Sequence, residues 1–263
     1  IFETPQAAFN FIYLSTQPIS YNFGLYKKQT LSMKKQFVIL ALALAFCLQL
    51  SAQTYKIDTS AINFENQLRP CFTVKYDASP KEVKKAWDDY FKKTYDVKVK
   101  GIGFLTNKEV ITATDITLVA VSDKRMNLYA SVVDAPGERS ELSYFMSFGY
   151  DFFIGADNYP TEFAAMKKIL NDFSVEFLTD FYYSEASRMT SEIKGLEKDI
   201  KQNNKSIKKN TKKARKESKE VANGLSAKNT SMEMENDQAK KKIEELSKAI
   251  DEIKVKQAGV KRN

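Results

Sequence analysis

From Glu162 to Val221 no proline interrupts the chain, and Gly195 is the one glycine inside that stretch. Without a breaker the pattern predicts a helix that outruns the domain it starts on, since each residue adds about 1.5 Å of rise. Its first part, with Phe163, Met166, Ile169, Leu170, Phe173, Phe177, Leu178 and Phe181, is broadly apolar and predicts docking on a sheet. Beyond Met189 the stripe narrows to Ile193, Leu196, Ile200, Ile207, Ala214 and Val221, at the three- and four-residue steps of a coiled-coil seam. Gly224 and the polar run Ser226 to Ser231 are expected to break it. Met232, Ala239, Ile243, Leu246, Ile250, Ile253 and Val260 then carry a second seam. Folding back about that break pairs Val221 with Met232, Ala214 with Ala239, Ile207 with Leu246, Ile200 with Ile253 and Ile193 with Val260. It also sets Asn203 against Ile250, Asn210 against Ile243 and Glu217 against Asn236, polar layers that specify register at a cost in stability.

This tail is basic. Lys201 to Glu220 holds nine basic and two acidic residues, whereas Ser231 to Lys254 holds seven acidic and five basic. The returning helix is therefore expected to balance part of the basic face. Lys205, Lys208, Lys209, Lys212, Lys213, Arg215 and Lys216 are the candidate contacts for a polyanion such as lipid head groups, acidic glycans or peptidoglycan. The competing reading is a solvated coiled-coil surface that confers solubility. Nucleic acid is disfavoured because no aromatic interleaves Lys201 to Lys219 for base stacking. An envelope protein and a second copy joined through the coiled coil are the other candidate partners.

Upstream, Phe72 to Tyr76 alternates as a half-buried strand does, and Ser79-Pro80-Lys81-Glu82 opens a helix with Ser79 as cap, Pro80 at its first position and Glu82 reaching back. Val83, Ala86, Trp87, Tyr90 and Phe91 recur on one face of it, making the lone tryptophan a core anchor. After Thr94 the period becomes two: Val97 and Val99 lead toward Phe104, Val110 to Val121 forms one or two strands, and Met126 to Val133 and Glu141 to Phe148 complete a meander of four or five. A long helix follows from about Pro160. The fold class is α+β, an antiparallel sheet of about five strands packed on one short and one long helix, followed by an antiparallel helical hairpin.

The chain has no histidine, which removes the usual general base near neutral pH and the commonest metal ligand. Cys47 and Cys71 are the two cysteines, so Cys/His zinc sites and Ser-His or Cys-His catalysis are excluded. Cys71 sits in an apolar run and reads as a buried small hydrophobe. No catalytic, cofactor or metal site is assigned, and the spacing of Asp151, Asp157 and Glu162 matches no established calcium loop. The densest aromatic segment runs from Tyr144 to Gly155. It is read first as a final core strand running into a turn at Gly155; its functional reading is a ligand lip of Tyr144, Phe148, Tyr150, Phe152 and Phe153.

The N-terminal region supplies an address. Met33-Lys34-Lys35, the apolar run Phe37 to Leu50 and Ser51-Ala52 have the layout of a bacterial secretory signal peptide, too short to span a membrane as a helix. Residues 1–32 precede it and read as mis-translated upstream sequence, the alternative being an N-terminal extension before an uncleaved signal anchor. Residues 33–52 would then be the signal, 53–184 the α+β domain and 185–263 the charged hairpin, with net charges of −3 and +8 on the last two. From about Ile62 to Ser184 the element order resembles helix-grip domains, the START and Bet v1-like proteins, though the two short helices that follow their first strand have no room here. The three-part layout looks more closely like uncharacterised secreted proteins of Gram-negative bacteria, a likeness that implies no activity. The chain thus reads as a non-catalytic protein, periplasmic or secreted, with a binding or scaffold role in the cell envelope. The alternative is a small-molecule or lipid carrier with an apolar cavity between sheet and long helix.

Overall fold

A computed structural model describes residues 54–101, 110–136, 139–149 and 151–260. The signal segment and the residues before it lie outside the described residues. Five strands form one antiparallel sheet: β1 (Asp58–Phe64), β2 (Gln67–Tyr76), β3 (Val110–Thr117), β4 (Arg125–Val133) and β5 (Ser140–Ser147), in the order β1-β2-β5-β4-β3. Three helices accompany them: α1 (Pro80–Tyr95), α2 (Pro160–Ala214) and α3 (Lys219–Ala258). The α+β class and the five-stranded antiparallel sheet expected from the pattern are present, but Val97 and Val99 lie outside its strands, with only an isolated bridge from Lys100 to Thr112 beside them, and Phe104 lies outside the described residues.

The first strand, β1, is not among those the alternation predicts. It pairs with β2 through Glu65 and Asn66, which both adopt positive φ (54° and 60°), so that Phe64 closes directly on Gln67. That is a two-residue hairpin turn made without glycine. β2 is also longer than Phe72–Tyr76. Its first half contains Pro70, which costs no ladder bond there because β2 meets β5 only from Phe72 to Tyr76.

Both helices near the sheet cover one face. Ser79 and Glu82 form the reciprocal capping box, the Ser79 amide donating to Glu82 Oε2 at 2.8 Å and the Glu82 amide to Ser79 Oγ at 3.4 Å. Trp87 is fully buried and meets the rings of Phe91, Tyr144 and Phe173 at 4.7, 5.1 and 4.8 Å, joining α1, the sheet and α2 in one aromatic contact set. Two polar pairs are enclosed: Tyr76 and Ser174 share a 2.7 Å hydrogen bond, and Tyr55 donates to Asn171 Oδ1 at 2.7 Å. Each hydroxyl is thereby satisfied where water is excluded. The opposite face of the sheet carries a smaller cluster, Cys71, Phe145 and Phe153, with the Arg69 guanidinium 4.1 Å over the Phe153 ring.

α2 runs unbroken for 55 residues, through the position between 184 and 185, so sheet-docking helix and arm are one element. It reverses at Arg215–Ser218, and α3 returns to the domain. Its end is tied down: Ile253 and Val260 pack on the core, Lys256 Nζ meets Asp77 at 2.6 Å, and Thr54 donates to the Lys256 carbonyl at 2.7 Å.

Candidate functional site

The antiparallel hairpin is present, but its turn and register differ from those expected. The reversal comes before Gly224, which lies inside α3 together with Ser226 to Ser231. Local chemistry favours the earlier point. Lys212 and Lys213 occupy the last turn of α2, where cations complement the exposed carbonyls, and Ser218 in an extended conformation starts α3 with Glu220 in its first turn.

Asparagines fix the register. Asn210 donates to Asn229 Oδ1 at 3.0 Å, Asn236 donates to Asn204 Oδ1 at 3.1 Å, and Asn203 donates to Glu235 at 3.2 Å. Continuing the same offset along both helices sets Ile207 against Met232, Ile200 against Ala239, Leu196 against Ile243, Ile193 against Leu246 and Met189 against Ile250. All ten of these seam residues are more buried than the charged residues beside them. The pairings Ile207 with Leu246 and Ile200 with Ile253 are therefore displaced by one heptad on each helix. The displaced arrangement would strand Asn203 and Asn210 against isoleucines, whereas the observed one gives the Asn203 amide to Glu235, Asn210 to Asn229 and Asn236 to Asn204, leaving only one buried atom of these groups, the Asn236 Oδ1 oxygen, without a hydrogen bond among the described residues.

This shift changes the electrostatics of the arm. All seven candidate cations, Lys205, Lys208, Lys209, Lys212, Lys213, Arg215 and Lys216, are exposed. They gather at the turn, about 48 Å along α2 from Tyr182 at about 1.5 Å per residue. The expected balance from the returning helix does not occur. Apart from Glu220 in its first turn, the acids of α3 lie from Glu233 onward, and the ion pairs they form are within their own helix: Lys240 with Asp237 at 3.0 Å, Lys248 with Glu244 at 2.7 Å and Lys254 with Asp251 at 2.9 Å. Among the described residues, none of the seven cations makes an ion pair.

The aromatic lip is not assembled. Tyr144 is fully buried in the core, its hydroxyl 3.0 Å from the Met146 sulfur, and Phe153 is buried on the other face of the sheet. Strand alternation sends neighbouring rings to opposite faces, so the segment behaves as the core strand it was first read to be. Phe148 is half-buried against Tyr159 at 5.0 Å. Phe152 is exposed, and Tyr150 lies outside the described residues.

Cys71 is enclosed beside Phe145, and burial pushes its thiol up to about 11. Asp151 pairs with Arg69, and among the described residues no three His, Cys, Asp or Glu side chains converge as a metal set would. No described helix is long and apolar enough to cross a membrane. No protein-family model, curated protein or solved structure matches this chain.

Proposed function

We propose that this protein is a non-catalytic, exported component of the cell envelope, a binding or scaffold protein whose α+β body presents a helical arm to an anionic partner. One observation carries the reading: seven cations stand exposed, without ion pairs among the described residues, around the turn of an arm whose other end is fastened to the domain. A charged helical surface kept for solubility would carry both signs interspersed, as α3 does. At the turn one sign prevails, with Glu217 and Glu220 the acids beside it. Such a concentration raises the local density of polyanions and steers their approach. Export rests on the Met33 to Ala52 layout, and a role without catalysis rests on the missing histidine.

Retention on anionic vesicles and on an anionic matrix, followed as salt is raised, tests the reading. Lys208→Gln, Lys209→Gln, Lys212→Gln and Lys213→Gln combined should elute at markedly lower salt than the parent, with unchanged helix content. Equal retention would overturn the proposal.

A further inference from the structure

The unpaired cations do not stop at the turn. Along α2 toward the domain Lys194, Lys198, Lys201, Lys205, Lys209 and Lys212 follow at steps of four, three, four, four and three residues, the spacing that keeps side chains on one helix face. The seam residues Ile193, Leu196, Ile200 and Ile207 fall on the opposite face, so this row looks away from α3. Every member is exposed, and none makes an ion pair among the described residues. Lys216 extends the row to the turn. From Lys194 to Lys216 it measures about 33 Å at roughly 1.5 Å per residue.

The pattern has a physical cost, which Glu197, three residues after Lys194 and four before Lys201, offsets only at the domain end of the row. Like charges four residues apart repel on a helix, and Lys194 with Lys198, Lys201 with Lys205 and Lys205 with Lys209 are such pairs. α3 avoids the same cost by alternating Lys240, Lys248 and Lys254 with acids. The two helices of the arm therefore differ: α3 pairs its lysines with acids of its own, whereas the lysines of the row make no ion pair among the described residues.

We infer that this lysine row is a binding track for a linear polyanion, which lies lengthwise along α2 rather than touching the turn alone. The inference deepens the proposed function and rests on it. A small anion would need cations that converge on a point, and these diverge along a line. The residues beside them, Glu197, Gln202 and Lys208 among others, are charged or polar, so nothing on this face inserts between lipid chains as an interfacial helix does. Successive cations roughly 4.5–6 Å apart along the axis can each meet a charge of a flexible polymer. No aromatic stands in the row to stack a ring, so charge and length are what it reads.

The test uses the full chain, with long linear polyphosphate, tripolyphosphate and phosphatidylglycerol vesicles as probes. Long polyphosphate should bind far more tightly than tripolyphosphate, which is too short to span the row. Lys194→Gln, Lys198→Gln and Lys201→Gln combined, all distant from the turn, should weaken long-polymer binding about a hundredfold near 0.1 M salt and flatten the salt dependence by roughly two log units per decade. Lys240→Gln, Lys242→Gln and Lys254→Gln on α3 should change neither. If the first triple variant binds like the parent while the turn variant loses binding, the track is refuted and the turn-only contact of the proposed function stands. If vesicles are retained and long polyphosphate is not, the partner is a planar surface and the track is again wrong. If neither set of substitutions matters, the electrostatic reading fails as a whole.

Discussion

Ile200→Cys with Ala239→Cys, in a Cys71→Ser background, should close an intramolecular disulfide on mild oxidation, whereas Ile200→Cys with Ile253→Cys should not. The observed register sets 200 and 239 in one layer of the seam. Position 253 lies two heptads further along α3, about 21 Å away along the axis, and a disulfide requires Cα atoms within about 7 Å. The energy separating the registers follows from the asparagines. In the observed one Asn210 meets Asn229, and Asn203 and Asn204 meet Glu235 and Asn236. Displacing both helices by one heptad sets Asn203 and Asn210 against isoleucines, and each amide stranded without a partner costs about 1–3 kcal/mol, so the two together give about 2–6 kcal/mol. That corresponds to a population of the displaced form of a few per cent at most. Mobility on non-reducing gels, with peptide mapping of the bridged product, reads the result. A faster 200–253 product would refute the register, and products found only between chains would refute the hairpin within one chain.

Trp87→Ala should destabilise the domain by about 3–5 kcal/mol in denaturant melts, because it opens a cavity where α1, β5 and α2 meet; a loss near zero would contradict the burial of this ring. Gly224→Ala should stabilise the arm by about 0.5–1 kcal/mol, since a Cβ there meets no atom within 4 Å and alanine is the better helix former. Cys71 should resist thiol reagents in the folded protein. Its raised pKa contributes stability that is full below about 9 and is lost as pH rises through about 11, so Cys71→Ser should lessen the alkaline fall in melting temperature. Amide exchange should be faster in the distal arm, where Asn210 with Asn229 and Ala214 with Leu225 form thin layers, than around Ile193 and Leu246.

Much of the domain is legible in the residues. Ser79, Pro80 and Glu82 announce α1 to the residue, and Pro160 with Glu162 announces α2, because caps and first-turn residues act locally. β4 and β5 follow from alternation within a residue or two. β1 is hidden because its side chains are mostly exposed and its turn uses Glu65 and Asn66, where glycine would have given the signal. The arm shows a different limit. A sevenfold pattern is unchanged by sliding one heptad, so periodicity specifies a hairpin and leaves its register open. The identity of the layers decides it, and matching Asn210 to Asn229 would have pointed to the turn at Ser218. Gly224 misleads because a single glycine in an exposed helix costs too little to end it. The lysine row was visible as composition, but its bareness depends on where the acids of α3 fall, which follows from the register.

The fastening of α3 to the base of the domain bears on how the chain is assembled. Thr54 meets Lys256 and Asp77 meets Lys256, contacts separated by 202 and 179 positions in sequence. A polypeptide that emerges from its N-terminus can pair β1 with β2 and form α1 early, yet Ile253 and Val260 arrive only after the whole arm has been made. Until then the apolar surface around Phe181 and Tyr182 stays open to water, since Ile253 is among the residues lining the cleft beside them. Loops of such length close slowly, and the helical arm shortens the search by folding locally and carrying the end of α3 back alongside α2. The arm is thus a splint as well as a projection, converting a closure over some two hundred positions into the zipping of two adjacent helices.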